Sequence, residues 1–410
     1  MSGRLMLTIK IPVPSRLNQI ATQLNRGSGR IYSKTLSFVK KIHRKKSLWL
    51  SQNTVQKYIL RWATDIPMHT HSKQAMVQQY FNALKGYFAA KKSNEDAKPP
   101  FRTKKYMPTV WKASAIHIKG TKLVLSNGRD NEPFAVPLPQ TLIGWINNAH
   151  IKLAKFVWDF RNRRCYIHLS IEVDGRNFES NETAVAVDLG VIHPIVAFDG
   201  EEVRIWNGGE LNAKLQYRHK RLSSLQQALS RTKHGSKRCR KLLRTKRRIL
   251  RKLRNQLDDI LHKTTSNFVA WAVQQKASKI VIGDVTGIRE CVNYNKVANQ
   301  KIHGWLFSRI ARLIEYKAKL AGIAVENVSE EYTSQTCPVC RHRHKPANRN
   351  FKCPKCGFKY HRDGVGAINI HKKYLGYGQV VAVLAPAVGV RLNPHLRGHG
   401  LSPWKLALSQ

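Results

Sequence analysis

Val185-Ala186-Val187-Asp188-Leu189-Gly190 is the stretch that decides the fold of this 410-residue chain. The apolar run that starts at Thr183 is typical of a buried strand, and Asp188 stands at its end. Lys279 to Ile282 and Ala324 to Val328 predict two further strands, with helical patterns between them. From residue 182 onward the predicted order is three strands, a helix, a strand, a helix, a strand and a helix.

That order of elements is the one found in a ribonuclease-H-like α/β domain. Upstream of it, residues 6–12 alternate like a strand, and helical patterning follows to about residue 92. Lys98-Pro99-Pro100 marks a boundary, and short strands with turns fill residues 105–175. A strand at the start, a helical insertion and then more strands predict a small β-barrel interrupted by a helical lobe.

The chain is strongly basic, with 72 Lys plus Arg against 24 Asp plus Glu and a formal net charge of +48. An excess of this size would make a compact state repel itself, so we expect a long nucleic acid as partner, bound in a salt-sensitive way. Residues 231–254 carry no acid and keep a leucine seam, which predicts a helix with one packed face. Its candidate nucleic-acid contacts are Lys237, Arg238, Arg240, Lys241, Arg244, Arg247, Arg248 and Arg251.

The first ten residues contain no apolar run typical of a signal peptide, and no apolar stretch approaches the length of a membrane span. Three cysteines, Cys165, Cys239 and Cys291, are scattered, which suits free thiols in a reducing compartment. We therefore expect a cytoplasmic, nucleoid-associated protein of a prokaryote without a membrane partner.

The other four cysteines form two Cys-x-x-Cys units with residues 341–352 between them. Two such units can wrap one tetrahedral Zn²⁺, and four thiolates leave no open coordination position, so the zinc would be structural. A redox dithiol would need one pair and would leave the second unexplained. The predicted zinc ligands are Cys337, Cys340, Cys353 and Cys356.

Isolated carboxylates in such a basic chain indicate sites for divalent metals held against nucleic acid. Two-metal phosphodiester hydrolysis needs three or four carboxylates that converge on one point. Asp188 lies at the end of a predicted strand, and Asp363 begins the last predicted helix. Asp363 fits a helix N-cap equally well on local sequence alone.

Several of these stretches together resemble the TnpB family of insertion-sequence transposons, from which the type V CRISPR effectors descend. Residues 185–190 resemble the first RuvC motif of the family, and residues 361–370 resemble the third. Residues 332–340 are similar to the start of its zinc ribbon, and Trp305 to Gly322 to the helix before it. The resemblance is specific over residues 183–372 and implies an RNA-guided, Mg²⁺- or Mn²⁺-dependent DNA endonuclease with a structural Zn²⁺.

The resemblance also implies the division of the chain. The expected fold is α+β and multidomain: an N-terminal small β-barrel with an inserted helical lobe, then a ribonuclease-H-like (RuvC) domain with an inserted zinc ribbon. The predicted domains are a wedge-like barrel (1–14 and 98–181), a recognition lobe (15–97), a RuvC domain (182–332 and 361–374), a zinc ribbon (333–360) and an irregular basic tail (375–410).

The chain departs from the family at the second RuvC motif, where Gly283 occupies the position of the usual glutamate and Asp284 follows. Asp284 could act directly, but side chains alternate along a strand and it should point away from Asp188. The site could instead be inactive, or a carboxylate could arrive from the neighbouring strand. We favour the last, with Glu330 as the metal ligand beside Asp188 and Asp363; Glu331 and Glu326 are weaker candidates.

These observations predict a guided nuclease that binds a noncoding RNA and cuts double-stranded DNA beside a short flanking motif. Pairing with the guide would read the target, and the protein would read duplex shape and the flanking motif. Two other functions stay open at this point. One is a nuclease-inactive, RNA-guided DNA-binding protein that represses, and the other is a conventional transposase, which needs no guide RNA.

Overall fold

The structure, a computed structural model, describes residues 4–147, 150–159, 164–174, 183–284, 306–376 and 386–390. The chain divides into two compact units. The first comprises residues 4–174, and the second contains the described residues from 183 onward.

The first unit contains an antiparallel sheet that joins the two ends of its sequence. Its first strand pairs with its last, from Arg4 opposite Asp174 to Val13 opposite Cys165. The sheet order is β1-β7-β6-β2, and β3, β4 and β5 form a separate three-stranded sheet. The elements are β1 (Arg4–Val13), α1 (Asn18–Lys46), α2 (Gln52–Trp62), α3 (Thr70–Lys91), β2 (Val110–Lys112), β3 (Ile116–Lys119), β4 (Lys122–Leu125), β5 (Phe134–Pro137), α4 (Gln140–Asn147), β6 (His150–Asp159) and β7 (Arg164–Asp174).

The helical insertion between an N-terminal strand and later strands is therefore present, as α1, α2 and α3 between β1 and β2. The alternation of apolar and polar residues that predicted β1 corresponds to its burial: Leu7, Ile9 and Ile11 are buried on one side of the strand. The described pairings form two open sheets, so the closed barrel and its domain bounds stay predictions.

The second unit is built on a six-stranded sheet of order β12-β11-β8-β9-β10-β15. β8 runs parallel to β11, and β11 runs parallel to β12, whereas β9 is antiparallel to both of its neighbours. Its elements are β8 (Ala184–Asp188), β9 (Ile195–Phe198), β10 (Val203–Trp206), α5 (Gly209–Ser230), α6 (Lys237–Gln274), β11 (Lys279–Asp284), α7 (Phe307–Leu320), β12 (Ala324–Ser329), β13 (Asn350–Lys352), β14 (Lys359–His361), α8 (Arg362–Tyr374) and β15 (Val388–Val390).

Different helices cover the two faces of this sheet. The helix that a buried strand residue contacts therefore shows which face its side chain lies on. Val185, Val187, Ile280 and Ile282 belong to one core, which also contains side chains of α6 and α7. Ala186 and Val281 belong to a second cluster with Ile370 of α8. Because side chains alternate, Asp188 and Gly283 share the α8 face, whereas Asp284 shares the face of Ile282.

The predicted strands and helices of this unit occur in the predicted order, but two helices, α5 and α6, lie where one was predicted between β10 and β11. α7 ends at Leu320, and Gly322 follows with φ +76°, a left-handed conformation that glycine adopts without strain. The expectation of an irregular tail was wrong at Val388–Val390, which pairs in parallel with β10. Three residues are too few for an alternation pattern to be read. Residues 377–385 and 391–410 of the predicted tail lie outside the described residues.

Candidate active site and zinc-binding cluster

Asp188 stands at the C-terminal end of β8 and faces α8. A β-carbon added to Gly366 of that helix would lie 2.6 Å from Asp188 Oδ2, so the glycine provides the space that the carboxylate occupies. Burial, and after it the negative charges of Glu330 and Asp363, raise the pKa of Asp188 to about 8. The three predicted metal-binding carboxylates are therefore electrostatic neighbours.

Glu330 follows the last residue of β12 and lies in front of Gly283. A β-carbon added to Gly283 would lie 3.2 Å from both Cβ and Oε2 of Glu330, and 2.9 Å from Ile370 Cδ1. Gly283 is opposite Val328 in the parallel pair β11–β12, two residues before Glu330. The carboxylate of Glu330 thus occupies the volume beside Gly283, the position at which the resemblance implies a glutamate.

Burial is also the main reason why the pKa of Glu330 rises to about 7, and the charge of Asp284 adds to it. Asp284 itself is exposed and lies on the other face of β11 from Gly283. Glu331 is exposed as well, and Glu326 forms an ion pair with Lys279 (3.0 Å). The second-choice carboxylates are thus more solvent-exposed than Glu330.

Asp363 lies in the first turn of α8, where the positive end of the helix dipole favours a carboxylate. Arg349 Nη1 donates a hydrogen bond to Asp363 Oδ2 at 2.5 Å, and Arg362 Nε is 3.7 Å from Oδ1. The His361 N-cap makes no side-chain capping bond. Two cationic side chains thus lie beside the Asp363 carboxylate. The sequence pattern did not indicate Arg349 as one of them.

The loop that carries Glu330 is fastened to α8 by hydrogen bonds. Both the backbone N–H and the hydroxyl of Thr333 donate to the Glu330 carbonyl, at 3.1 and 2.8 Å. Asn369 Nδ2 donates to the carbonyls of Thr333 and Thr336, each at 2.7 Å, and Lys373 Nζ donates to the Glu331 carbonyl at 2.7 Å. The helix α8 therefore carries Asp363 and also forms hydrogen bonds with the backbone of the loop that contains Glu330.

The four cysteines of the two Cys-x-x-Cys units come together, with their sulfur atoms within 4.8 Å of one another. Cys337 Sγ lies 3.6 Å from Cys356 Sγ, and Cys340 Sγ lies 3.4 Å from Cys353 Sγ. Sulfurs about 2.3 Å from a tetrahedral Zn²⁺ are separated by roughly 3.8 Å, so the cluster fits that ion. Val365 of α8 packs in the same apolar cluster as Cys337 and Cys353, which connects the zinc-binding segment to the helix of Asp363.

The basic residues predicted to contact nucleic acid lie on the first half of α6, which is 38 residues long. All of the eight except Arg251 are exposed, and Arg251 is half-buried. The opposite side of the helix carries the buried Leu253 and Leu257. The arrangement is a helix with one packed side and a cationic surface, as the leucine seam predicted.

No helix among the described residues is long and apolar enough to cross a membrane.

The family models that match this chain fall mainly on the unit that contains these sites. A family model described as "Probable transposase" matches residues 167–289, and one described as "Cas12f1-like, TNB domain" matches residues 307–370. The chain is 36% identical over 122 residues to a TnpB-like protein of Methanocaldococcus jannaschii, which covers 29% of this chain and 44% of that protein.

It is also 27% identical over 232 residues to the CRISPR-associated endodeoxyribonuclease Cas12f1 of Sulfoacidibacillus thermotolerans, covering 54% of this chain and 53% of that protein. The matched stretches thus span about half the length of these curated relatives. Among solved structures, a Cas12f1 chain in a complex with guide RNA and target DNA matches with a TM-score of 0.59 and 15% identity, over 87% of this chain and 82% of that one. At this identity the likeness shows a shared α+β fold.

Proposed function

We propose that this chain, a protein of the TnpB family, is an RNA-guided DNA endonuclease whose hydrolytic site consists of Asp188, Glu330 and Asp363. The observation that carries the proposal is the position of Glu330, which occupies the space in front of Gly283 and is an electrostatic neighbour of Asp188. The chain would use a noncoding guide RNA and cut target DNA beside a short flanking motif, as its Cas12f relatives, named as endodeoxyribonucleases, suggest.

The three carboxylates fit divalent cations with a preference for oxygen ligands, Mg²⁺ or Mn²⁺. When bound, such cations would supply positive charge that stabilises the attacking and leaving oxygens of phosphodiester hydrolysis. Without them, burial raises the pKa values of both Asp188 and Glu330, and neighbouring carboxylates add to it: Glu330 and Asp363 for Asp188, and Asp284 for Glu330. The site therefore favours the binding of positive charge. Arg349 and Arg362 lie beside Asp363, where they can contact the phosphate oxygens of a bound strand.

The nucleic-acid partners would be held mainly through phosphates. The exposed lysines and arginines of α6 supply a continuous cationic surface for guide RNA or for the heteroduplex. The zinc-binding segment, residues 333–360, would act as a structural support next to α8, because four thiolates leave the ion no open position. Residues that read the flanking motif stay unassigned.

One observation favours a second function, a nuclease-inactive guided DNA-binding protein. Arg349 forms an ion pair with Asp363, and a cation at Asp363 would have to compete with it. In that case the chain would bind its guided target and repress without cutting. A conventional transposase, which the description of one matching family model would suggest, needs no guide, so RNA of defined length in the purified protein would argue against it.

The test is plasmid cleavage by the chain co-expressed with the RNA from its transposon end, in Mg²⁺, comparing the parent with Glu330→Gln. The matched control is Glu331→Gln, the exposed neighbour. Cleavage by the parent and the control but not by Glu330→Gln supports the proposal. If the parent binds the guided target and does not cut it, the second function is the correct one.

A further inference from the structure

We propose that His193, His361 and Asp363 form a mixed nitrogen and oxygen site for a first-row transition metal such as Mn²⁺, beside the carboxylates of Asp188 and Glu330. One potential ligand atom from each of these three residues lies within 4.8 Å of the other two. The inference rests on the proposed function in one respect, since Asp363 belongs to both sites. It adds that two histidines determine which metal is held there.

The fold brings the two histidines to Asp363 from different elements. His193 lies in the short connection between β8 and β9, where the Gly190 N–H donates to the His193 carbonyl at 3.0 Å. A β-carbon at Gly190 would lie 2.8 Å from that carbonyl oxygen, so this close turn needs the glycine. His361 ends β14 directly before α8, and Asp363 is in the first turn of that helix.

Both imidazoles contain a buried nitrogen with unused bonding capacity. Nδ1 of His193 and Nδ1 of His361 are shielded from solvent, and neither has a hydrogen-bond partner in the described part of the chain. A buried polar atom without a partner is costly, and most such atoms in native proteins are satisfied. The ring centroids are 5.4 Å apart at an interplanar angle of 68°, so the rings are edge to face. Two such rings beside a carboxylate are the donor set of a metal site.

The donor types indicate the class of metal. Imidazole nitrogen suits first-row ions such as Fe²⁺, Ni²⁺ and Zn²⁺, and Mn²⁺, the weakest binder of that series, accepts it alongside oxygen ligands, whereas Mg²⁺ prefers oxygen ligands throughout. A site with two imidazoles and one carboxylate should therefore take a first-row transition ion in preference to Mg²⁺. Mn²⁺ suits the test best, because the hard Mn²⁺ ion competes poorly for the thiolates of the zinc-binding cluster.

Two cations beside Asp363 oppose metal binding. Their removal should change the metal affinity in the direction opposite to removal of the histidines. Arg349 donates to Asp363 Oδ2, and Arg362 lies near Oδ1. A metal bound by the Asp363 carboxylate must compete with the positive charge of Arg349 for the same group. Removal of the guanidinium should therefore strengthen metal binding, whereas removal of either histidine should weaken it.

The experiment is electron spin echo spectroscopy of Mn²⁺ added to the full chain, zinc-loaded, treated with nuclease to remove RNA, and free of a histidine tag. Nitrogen-14 modulation reports imidazole coordinated to the manganese, whatever the catalytic state of the protein. We expect this modulation in the parent and its loss in His193→Gln/His361→Gln, with Mn²⁺ affinity lower by about tenfold. Arg349→Gln should retain the modulation and bind Mn²⁺ more tightly.

His117→Gln, which removes an exposed histidine of β3, is the matched control and should behave like the parent. Full zinc content and an unchanged unfolding temperature verify that each variant is folded, and the single variant His361→Gln replaces the double one if it is not. Mn²⁺ binding without nitrogen modulation, abolished by Asp188→Asn, would overturn this inference and leave the proposed carboxylate site intact. Absence of Mn²⁺ binding, or modulation that survives in the histidine variants, would also overturn it.

Discussion

The side chain of Glu330 occupies the space in front of Gly283: a β-carbon on that glycine would come within 3.2 Å of Glu330 Cβ and Oε2. The two residues belong to adjacent parallel strands, β11 and β12, and Gly283 faces α8 as Asp188 does. A glutamate on β11 and Glu330 would compete for one volume. We therefore predict that Glu330 takes the role of the glutamate that the resemblance expects at position 283.

Gly366 gives a first prediction, because its missing side chain makes room for Asp188. Gly366→Ala would bring a β-carbon to 2.6 Å from Asp188 Oδ2 and force the carboxylate to move. We expect a loss of cleavage of about 100-fold with little loss of stability, since alanine favours a helix by roughly 1 kcal/mol over glycine. Cleavage rates and thermal unfolding would be measured side by side.

The control for that variant is Gly86→Ala in α3, a helical glycine whose added β-carbon would meet nothing within 4 Å. It should raise stability slightly and leave cleavage unchanged. Equal cleavage by Gly366→Ala and the parent would mean that the position of Asp188 does not limit the reaction.

The raised pKa values of Asp188 and Glu330 predict how stability depends on pH in the absence of added divalent cations. Burial raises the first to about 8 and the second to about 7, so the folded chain holds protons that the unfolded chain loses near pH 4. Where the folded state binds more protons, the free energy of unfolding falls as pH rises, here from about pH 4 through about pH 8.

Asp188→Asn/Glu330→Gln removes both titrations and should flatten this dependence between about pH 5 and pH 8. Added Mg²⁺ should stabilise the parent more at the upper end of the range, where the carboxylates are charged. Denaturant unfolding of both proteins at several pH values measures the slopes. Parallel slopes for parent and variant would show that these two groups do not carry the pH dependence.

Asn369 predicts a link between stability and catalysis. Its amide donates to the carbonyls of Thr333 and Thr336, and Thr333 in turn donates twice to the Glu330 carbonyl. Asn369→Leu would leave two acceptors without their donor, at a cost of about 2 kcal/mol, and would release the Glu330 loop. The urea concentration at the midpoint of unfolding and the rate of cleavage should both fall. Undiminished cleavage by Asn369→Leu would exclude this role.

The cysteine cluster predicts that bound zinc stabilises the second unit. Cys353→Ser should abolish stoichiometric zinc binding and lower the unfolding temperature, because Val365 of α8 packs against the metal-binding segment. Cys165→Ala, a buried cysteine of β7 outside the cluster, should keep its zinc. Zinc content by mass spectrometry and thermal unfolding test this, and a variant Cys353→Ser that retains full zinc would contradict it.

The sequence predicted those features that depend on local pattern. Alternation and apolar runs located β8, β11 and β12, and the spacing of the cysteines located their cluster. The position of Glu330 followed from parallel neighbours and the two-residue period of a strand. Its catalytic role, like those of Asp188 and Asp363, stays a prediction.

Contacts made by tertiary structure were not available to such reasoning. Arg349 is 14 residues from Asp363 in sequence, and its ion pair depends on the path of the chain between them. Asn369 resembled any polar residue on a helix, although it is buried and bonds to backbone more than 30 residues away. The short β15 became a strand through its pairing with β10, which no local signal indicates.

A glutamate placed on β11 in exchange for Glu330 tests the proposed site most directly. Glu330→Ala should lose guided cleavage by about 100-fold or more, since it removes a proposed metal ligand and with it several kcal/mol of transition-state stabilisation. Gly283→Glu/Glu330→Ala should recover a measurable part of that activity, because the new carboxylate enters the volume that Glu330 vacates. Full activity of Glu330→Ala, or a double variant no more active than Glu330→Ala while folded and bound to RNA, would contradict the relocated glutamate.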